Sequence, residues 1–192
     1  MVALLAASTC FAQIQKGAVQ LGGEVRIFNN SVGDFSRSQF AFTPQAALFL
    51  SDNTSLGLQL GYSTTRNDIF DVNLGRLVQQ RNNVFTLGTY ARFHKSMAEN
   101  LYVFLQPAVA VGFGKVEQEG MTDEPDINVF DANVGIGATY FVTPKFAVEV
   151  NMAALGFNRQ ETVVQGFEQT QENFFFNVDF SSIGLGLSYY IK

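Results

Sequence analysis

The chain has 192 residues, the length of one domain, with 12 basic and 17 acidic side chains and a formal net charge of −5. At 47% hydrophobic and 15% charged it is neither disordered nor highly charged, and its scattered basic residues argue against a nucleic-acid surface. Twenty Phe, six Tyr, 17 Gly and no Trp argue against a helical bundle, because each interior Gly costs a helix about 1 kcal/mol.

The first stretch, "MVALLAASTCFAQ", carries an apolar run from Val2 to Ala7 and a small-x-small pattern over Cys10, Phe11 and Ala12. Residues 1–12 are therefore expected to be the tail of a secretory signal peptide cut after Ala12, although no basic n-region precedes the run. An N-terminal strand is the alternative, and Ser8-Thr9 makes Cys10 a poor lipid-attachment site. Cys10 is the only cysteine, so the expected mature domain, residues 13–192, has no disulfide framework. Nowhere does the sequence reach the roughly 18 continuous apolar residues of a transmembrane helix.

From residue 17 onward the chain alternates with a period of two, the signature of strands with one apolar face. Val19, Leu21, Val25 and Ile27 mark the first strand. Phe40, Phe42, Ala46, Leu48 and Leu50 mark the second, and Leu56, Leu58, Leu60 and Tyr62 the third. Phe85, Leu87, Ala91 and Phe93 form the fourth. The fifth follows with Leu101, Val103, Leu105, Val109, Val111 and Phe113. Phe130, Ala132, Val134, Ile136, Ala138, Tyr140 and Val142 form the sixth. The seventh carries Phe146, Val148, Val150 and Met152. In the eighth the apolar parity changes: Phe174, Phe176, Val178 and Phe180 are even, whereas Ile183, Leu185, Leu187, Tyr189 and Ile191 are odd. If both sets share one face, an extra residue is required near Ser181-Ser182, which predicts a bulge.

The connections alternate in length. Those near 51–53, 95–99 and 143–145 are short; those near 29–37, 66–82, 115–126 and 158–172 are long. This alternation predicts an all-β fold, an eight-stranded antiparallel up-and-down barrel whose two ends face different surroundings. Lipid-facing and soluble, lipocalin-like barrels both fit eight strands, and the second face of the strands decides between them. That face holds Gln20, Gln45, Gln59, Gln106, Asn133 and Asn151 with many Gly and Ala, while all five lysines lie at strand ends, turns or the C-terminus. Amides and small residues suit the cramped lumen of an eight-stranded barrel. A water-facing outer surface would carry Lys and Glu along the strands instead. The apolar face is almost free of charge, as a lipid-facing one must be, because Lys or Arg at the bilayer midplane costs about 2–4 kcal/mol. Two aromatic belts agree: Phe28, Phe40, Tyr62, Phe85, Phe113, Phe130 and Phe174 near the long connections, and Phe93, Tyr102, Tyr140, Phe146 and Tyr189 near the short ones.

On these features the chain, over about residues 13–192, resembles the small OmpA/OmpX-like outer-membrane barrels and the porin-family "outer membrane protein beta-barrel" domains of Gram-negative bacteria. Its last strand departs from their commonest ending, an aromatic, by closing on Ile191-Lys192. The resemblance implies a transmembrane barrel in the cell outer membrane, both termini periplasmic, surrounded by lipid and lipopolysaccharide. It implies a non-enzymatic role in envelope integrity, in surface interaction, or as an accessory subunit of a larger outer-membrane complex. A narrow porin for ions or small solutes is the alternative role, and a soluble lipocalin-like binder the alternative class.

Six charged residues are expected to project inward: Glu24, Arg26, Arg92, Asp131, Glu149 and Asp179. Buried charges must be paired, so Glu24 or Glu149 is expected to meet Arg92 or Arg26 in a lumen network, structural or gating. Enzymes of this shape rely on a His with carboxylate or Ser partners. The one histidine, His94, sits at the short-turn end with no such set, so no catalytic residue is assigned. The acidic stretch 115–126 matches no calcium-loop template, and no cofactor or metal is expected. The apolar residues of the 66–82 connection, Ile69, Phe70, Val72, Leu74, Leu77 and Val78, point to a fold over the mouth or a protein partner; 115–126 is the second such surface.

Overall fold

The computed structural model describes residues 14–33, 35–71, 75–118, 124–164, 167–178 and 184–192. The alternating stretches form β1 (Val19–Val32), β2 (Phe35–Phe49), β3 (Thr54–Asp71), β4 (Arg76–Ala98), β5 (Leu101–Gln118), β6 (Asp126–Phe141), β7 (Phe146–Val164), β8 (Phe167–Val178) and β9 (Gly184–Ile191). Each strand pairs antiparallel with its chain neighbour from β1 to β8, and β9 pairs with both β1 and β7. The sheet therefore closes into a ring of eight positions, β1 through β7 and a last position shared end to end by β8 and β9. Closure leaves the backbone of the ring no free edge where β9 meets β1, from Val19↔Ile191 to Val25↔Leu185.

The apolar set points outward. Leu58 is 63% exposed and Leu187 54%, whereas inward Gln20, Ser55, Arg92, Thr139, Glu149 and Ser188 are buried. This is the reverse of a water-soluble barrel, whose leucines would fill the interior.

The long connections are mostly not loops. β4 runs for 23 residues and β3 for 18, so the hairpin that spans the expected 66–82 connection continues as paired strand from Arg66↔Arg81 to Asp71↔Arg76. A membrane-spanning strand needs only about 9–11 residues. Beyond that length the apolar alternation fades, but the facing N–H and C=O groups of β3 and β4 still pair with each other, so the ladder carries on. At the tip between β1 and β2, Gly33 takes a φ of 59°, a left-handed conformation that a side chain disfavours.

Three sequence expectations change. Met152, expected to face outward, instead lines the interior cavity described below. Its strand slips by one residue there: Gly137 opposes Asn151 while Ile136 opposes Ala153, leaving Met152 without a partner on β6. The bulge turns Leu155 outward and Gly156 inward, so β7 changes parity in its own middle. The partner strand changes with it. Val178 opposes Ala153 and Gly184 opposes Asn151, and the exposed apolar residues described on either side, Phe174 and Phe176 before and Leu185, Leu187, Tyr189 and Ile191 after, all face outward. The bulge expected at Ser181-Ser182 lies outside the described residues, as do Phe180 and the proposed signal segment. Tyr102 and Phe28 also leave the outer belts: the Tyr102 ring packs 5.7 Å from Phe141 inside, and Phe28 shares the inward parity of Glu24 and Arg26.

Two inward glycines make room for the side chains that fill the barrel. A Cβ on Gly57 would sit 2.4 Å from the Tyr90 ring, and one on Gly137 2.2 Å from Phe104 and 2.5 Å from the Val150 carbonyl. Because the Val150 contact is backbone, Gly137→Ala is expected to lower stability by about 1–3 kcal/mol, read by urea unfolding in micelles. An unchanged midpoint would show that the neighbouring strands yield freely.

Candidate functional site

The interior is built in three levels. At the short-turn end Ile14, Ala18, Phe49, Phe141, Ala147 and Tyr190 form a buried apolar floor. Phe49 and Tyr190 lie 6.0 Å apart, and Phe141 and Tyr190 4.8 Å, ring centre to ring centre. The chain before β1 is laced to this floor: Gly17 N donates to the Phe49 carbonyl at 2.8 Å, and Phe49 N to the Ala18 carbonyl at 2.9 Å. His94 belongs to the floor. Its ring lies 5.3 Å from Phe49 and 6.0 Å from Phe104, and among the described residues neither ring nitrogen has a hydrogen-bond partner. Among the described residues no Ser or carboxylate is hydrogen-bonded to it.

Above the floor sits a buried ion pair. Arg92 on β4 donates through Nη1 to Glu149 Oε2 on β7 at 2.8 Å, across the lumen, and both side chains are almost wholly buried. Such a pair offsets the cost of its desolvation only if its remaining hydrogen bonds are met. Here Glu149 Oε1 accepts from Gln20 Nε2 at 2.7 Å and from the Tyr190 hydroxyl at 3.3 Å, while Oε2 also accepts from Gln45 Nε2 at 3.3 Å. Arg92 Nε donates to Gln106 Oε1 at 2.8 Å, and Gln20 Nε2 also reaches Ser188 Oγ at 2.9 Å. The guanidinium carbon lies 4.1 Å from the Phe104 ring centre and 5.4 Å from that of Tyr90, so both aromatic faces attract the cation. The network ties together β1, β2, β4, β5, β7 and β9.

Over the ion pair opens a cavity of about 470 Å³. Its wall carries Glu24, Arg26, Asp131 and the amides Gln45, Gln59, Gln106, Asn133 and Asn151, with Phe175 from β8. Arg26 Nη2 donates to Glu24 Oε1 at 2.7 Å, and Asn151 Nδ2 donates to Glu24 Oε2. Asp131 accepts from Asn133 Nδ2.

Of the six charged residues singled out in the sequence, the structure joins Arg92 with Glu149 and Arg26 with Glu24. Asp131 stands apart from both pairs, and Asp179 lies outside the described residues. The residues that complete the ion pair, Gln20, Gln45, Gln106, Ser188 and Tyr190, were not singled out. Their signal was present in the pattern, because a buried carboxylate needs several donors and inward amides supply them.

Around the rim at the long-strand end, Lys115 Nζ meets Glu124 at 3.2 Å, Asn83 Nδ2 donates to Glu117 at 2.8 Å and Arg81 lies 3.8 Å from Glu117. The acidic stretch is thus partly drawn into ion pairs. Among the described residues no three potential ligands gather to hold a metal.

The family model described as "Outer membrane protein beta-barrel domain" matches residues 1–190. Among curated proteins the sequence matches none. A major outer membrane protein from Thermus thermophilus is similar in structure, with a TM-score of 0.51 at 14% identity over 92% of this chain and 100% of that one. The N-terminal β-barrel domain of Pseudomonas aeruginosa OprF aligns with a TM-score of 0.48 at 15% identity, over 92% of this chain and 98% of that one. For Ail of Yersinia pestis the values are 0.44 and 10%, over 92% and 100%. At these identities the likeness concerns fold alone.

Proposed function

This chain belongs to the family of outer membrane protein β-barrel domains, and from that premise we propose a non-enzymatic, non-conducting barrel that serves the envelope from its outer face. Both termini then lie on the periplasmic side, beside the aromatic floor, and the long strand ends project outward. The observation that carries the reading is the buried Arg92–Glu149 pair seated directly on the floor of Phe49, Phe141 and Tyr190. Together they fill the lumen over the whole short-turn half of the barrel.

The tall β3–β4 hairpin is the surface offered to lipopolysaccharide or to a protein partner, and Phe70 near its tip is 56% exposed. The rim charges at 115–126 flank it. Surface interaction and service as an accessory subunit can use such a projection, and neither role, nor envelope integrity, requires an open pore.

Planar-bilayer recording tests the filled lumen. The purified protein is expected to give no steady channel events, and Arg92→Ala with Glu149→Ala is expected to stay silent because the floor remains. Steady porin-sized steps from the unaltered protein would overturn the reading in favour of a narrow porin.

A further inference from the structure

The outer cavity contains an acid with no counter-charge. Glu24 is paired with Arg26, and Glu149 below is paired with Arg92. Asp131, on the same wall, accepts a hydrogen bond from Asn133, and among the described residues no basic group lies within ion-pair distance of it. Counting Glu24, Asp131 and Arg26, the wall carries two acids and one base, a net charge of −1.

Three of the amides around it lean the same way. Asn133 gives one N–H to Asp131, Asn151 one to Glu24 and Gln45 one to Glu149. Each keeps a carbonyl oxygen that can accept, while Gln106, whose oxygen takes Arg92 Nε, and Arg26 keep N–H donors elsewhere on the wall. On the apolar side stand Phe175 and the small residues Ala153 and Ala154. A volume of about 470 Å³ lies in the ordinary range for small-ligand pockets, roughly 300–1,000 Å³.

We propose that this cavity binds a small primary alkylammonium, its –NH3⁺ seated on Asp131 and the carbonyl oxygens of Asn133, Asn151 and Gln45, its alkyl chain against Phe175. An ammonium offers three donors and no acceptor, the complement of Asp131 and of the amide oxygens beside it. A neutral polyol brings no charge to offset Asp131, and an anion would meet Asp131 directly. The net negative charge draws the cation in from the open long-strand end.

The test is titration of the full chain in octyl-polyoxyethylene micelles, which contribute no amine. n-Butylammonium is the probe, 1-butanol the control of equal shape without charge, and heat is followed by calorimetry. Saturable one-to-one binding of the ammonium is expected, with none of the alcohol. Asp131→Asn keeps the size of the side chain and is expected to weaken binding roughly tenfold or more, as losing one charge-assisted hydrogen bond does. Glu117→Gln, which removes an acid from the rim rather than the wall, is expected to leave it unchanged. Gln59→Lys places a tethered ammonium inside the cavity and is expected to abolish binding while the heat-modifiable band on a gel stays native. Absence of saturable binding, equal binding by Asp131→Asn, or equal binding of 1-butanol would each overturn the proposal. To separate a soluble amine from a lipid headgroup, the titration is repeated in nanodiscs of phosphatidylcholine alone and with phosphatidylethanolamine. Competition only in the latter assigns the site to the ethanolamine headgroup.

Discussion

Glu149→Ala is expected to lower the unfolding free energy by about 3–5 kcal/mol, one of the largest single effects in the chain. The loss is not the worth of the salt bridge. It is the cost of leaving Arg92, only 1% exposed, without its carboxylate, and of orphaning Gln20, Gln45 and the Tyr190 hydroxyl, all of which donate to Glu149. Arg92→Ala is expected to cost a similar amount by stranding the carboxylate. The double change Arg92→Met with Glu149→Leu removes both charges and keeps the volume, so it is expected to recover most of the loss. Urea unfolding in micelles, followed by far-ultraviolet circular dichroism, compares the three. Single variants that lose less than about 1 kcal/mol would show that water already reaches the pair.

The second large effect separates adjacent residues of β3. Leu58→Arg puts a charge on the outer face beside Ala46, within the apolar run from Leu56 to Tyr62, and is expected to cost about 2–4 kcal/mol in a bilayer. Gln59→Lys, one position along, turns its charge into the polar cavity with Asp131 and Glu24 and is expected to cost far less. Folding yield into liposomes and urea midpoints read the difference. In a barrel with a water-facing exterior the order would reverse, with Leu58→Arg the milder change, and that outcome would remove the membrane reading.

Much of the fold was legible because a two-residue period is the strongest signal a strand can give, and the runs of β1 to β6 keep one parity from end to end. β7 is where that legibility stopped. "FAVEVNMAALGF" reads as one alternation because Ala153 and Ala154 fit either face and conceal the slip at Met152. Leu155 and Phe157, both odd after the even Phe146, Val148 and Val150, were the available sign. The long connections misled for a different reason. Beyond the apolar belt the alternation of β3 and β4 weakens, so periodicity fades although pairing continues from Arg66↔Arg81 outward. At the site, parity placed Arg92 and Glu149 on the inner face, but their partnership depended on the stagger between β4 and β7. Two strands on opposite sides of the ring share no local pattern, so sequence left Arg26 and Arg92 equivalent as partners for either acid.

On the proposed reading of a non-conducting lumen, the floor of Phe49, Phe141 and Tyr190 makes the barrel a well with one mouth. Whatever enters from the long-strand end leaves by the same route, so occupancy follows the concentration outside and is a matter of equilibrium rather than flux. A gradient across the membrane neither fills nor drains such a compartment. The time a solute spends inside, set by the depth of the well and the grip of its wall, is the one kinetic quantity the architecture leaves free to vary.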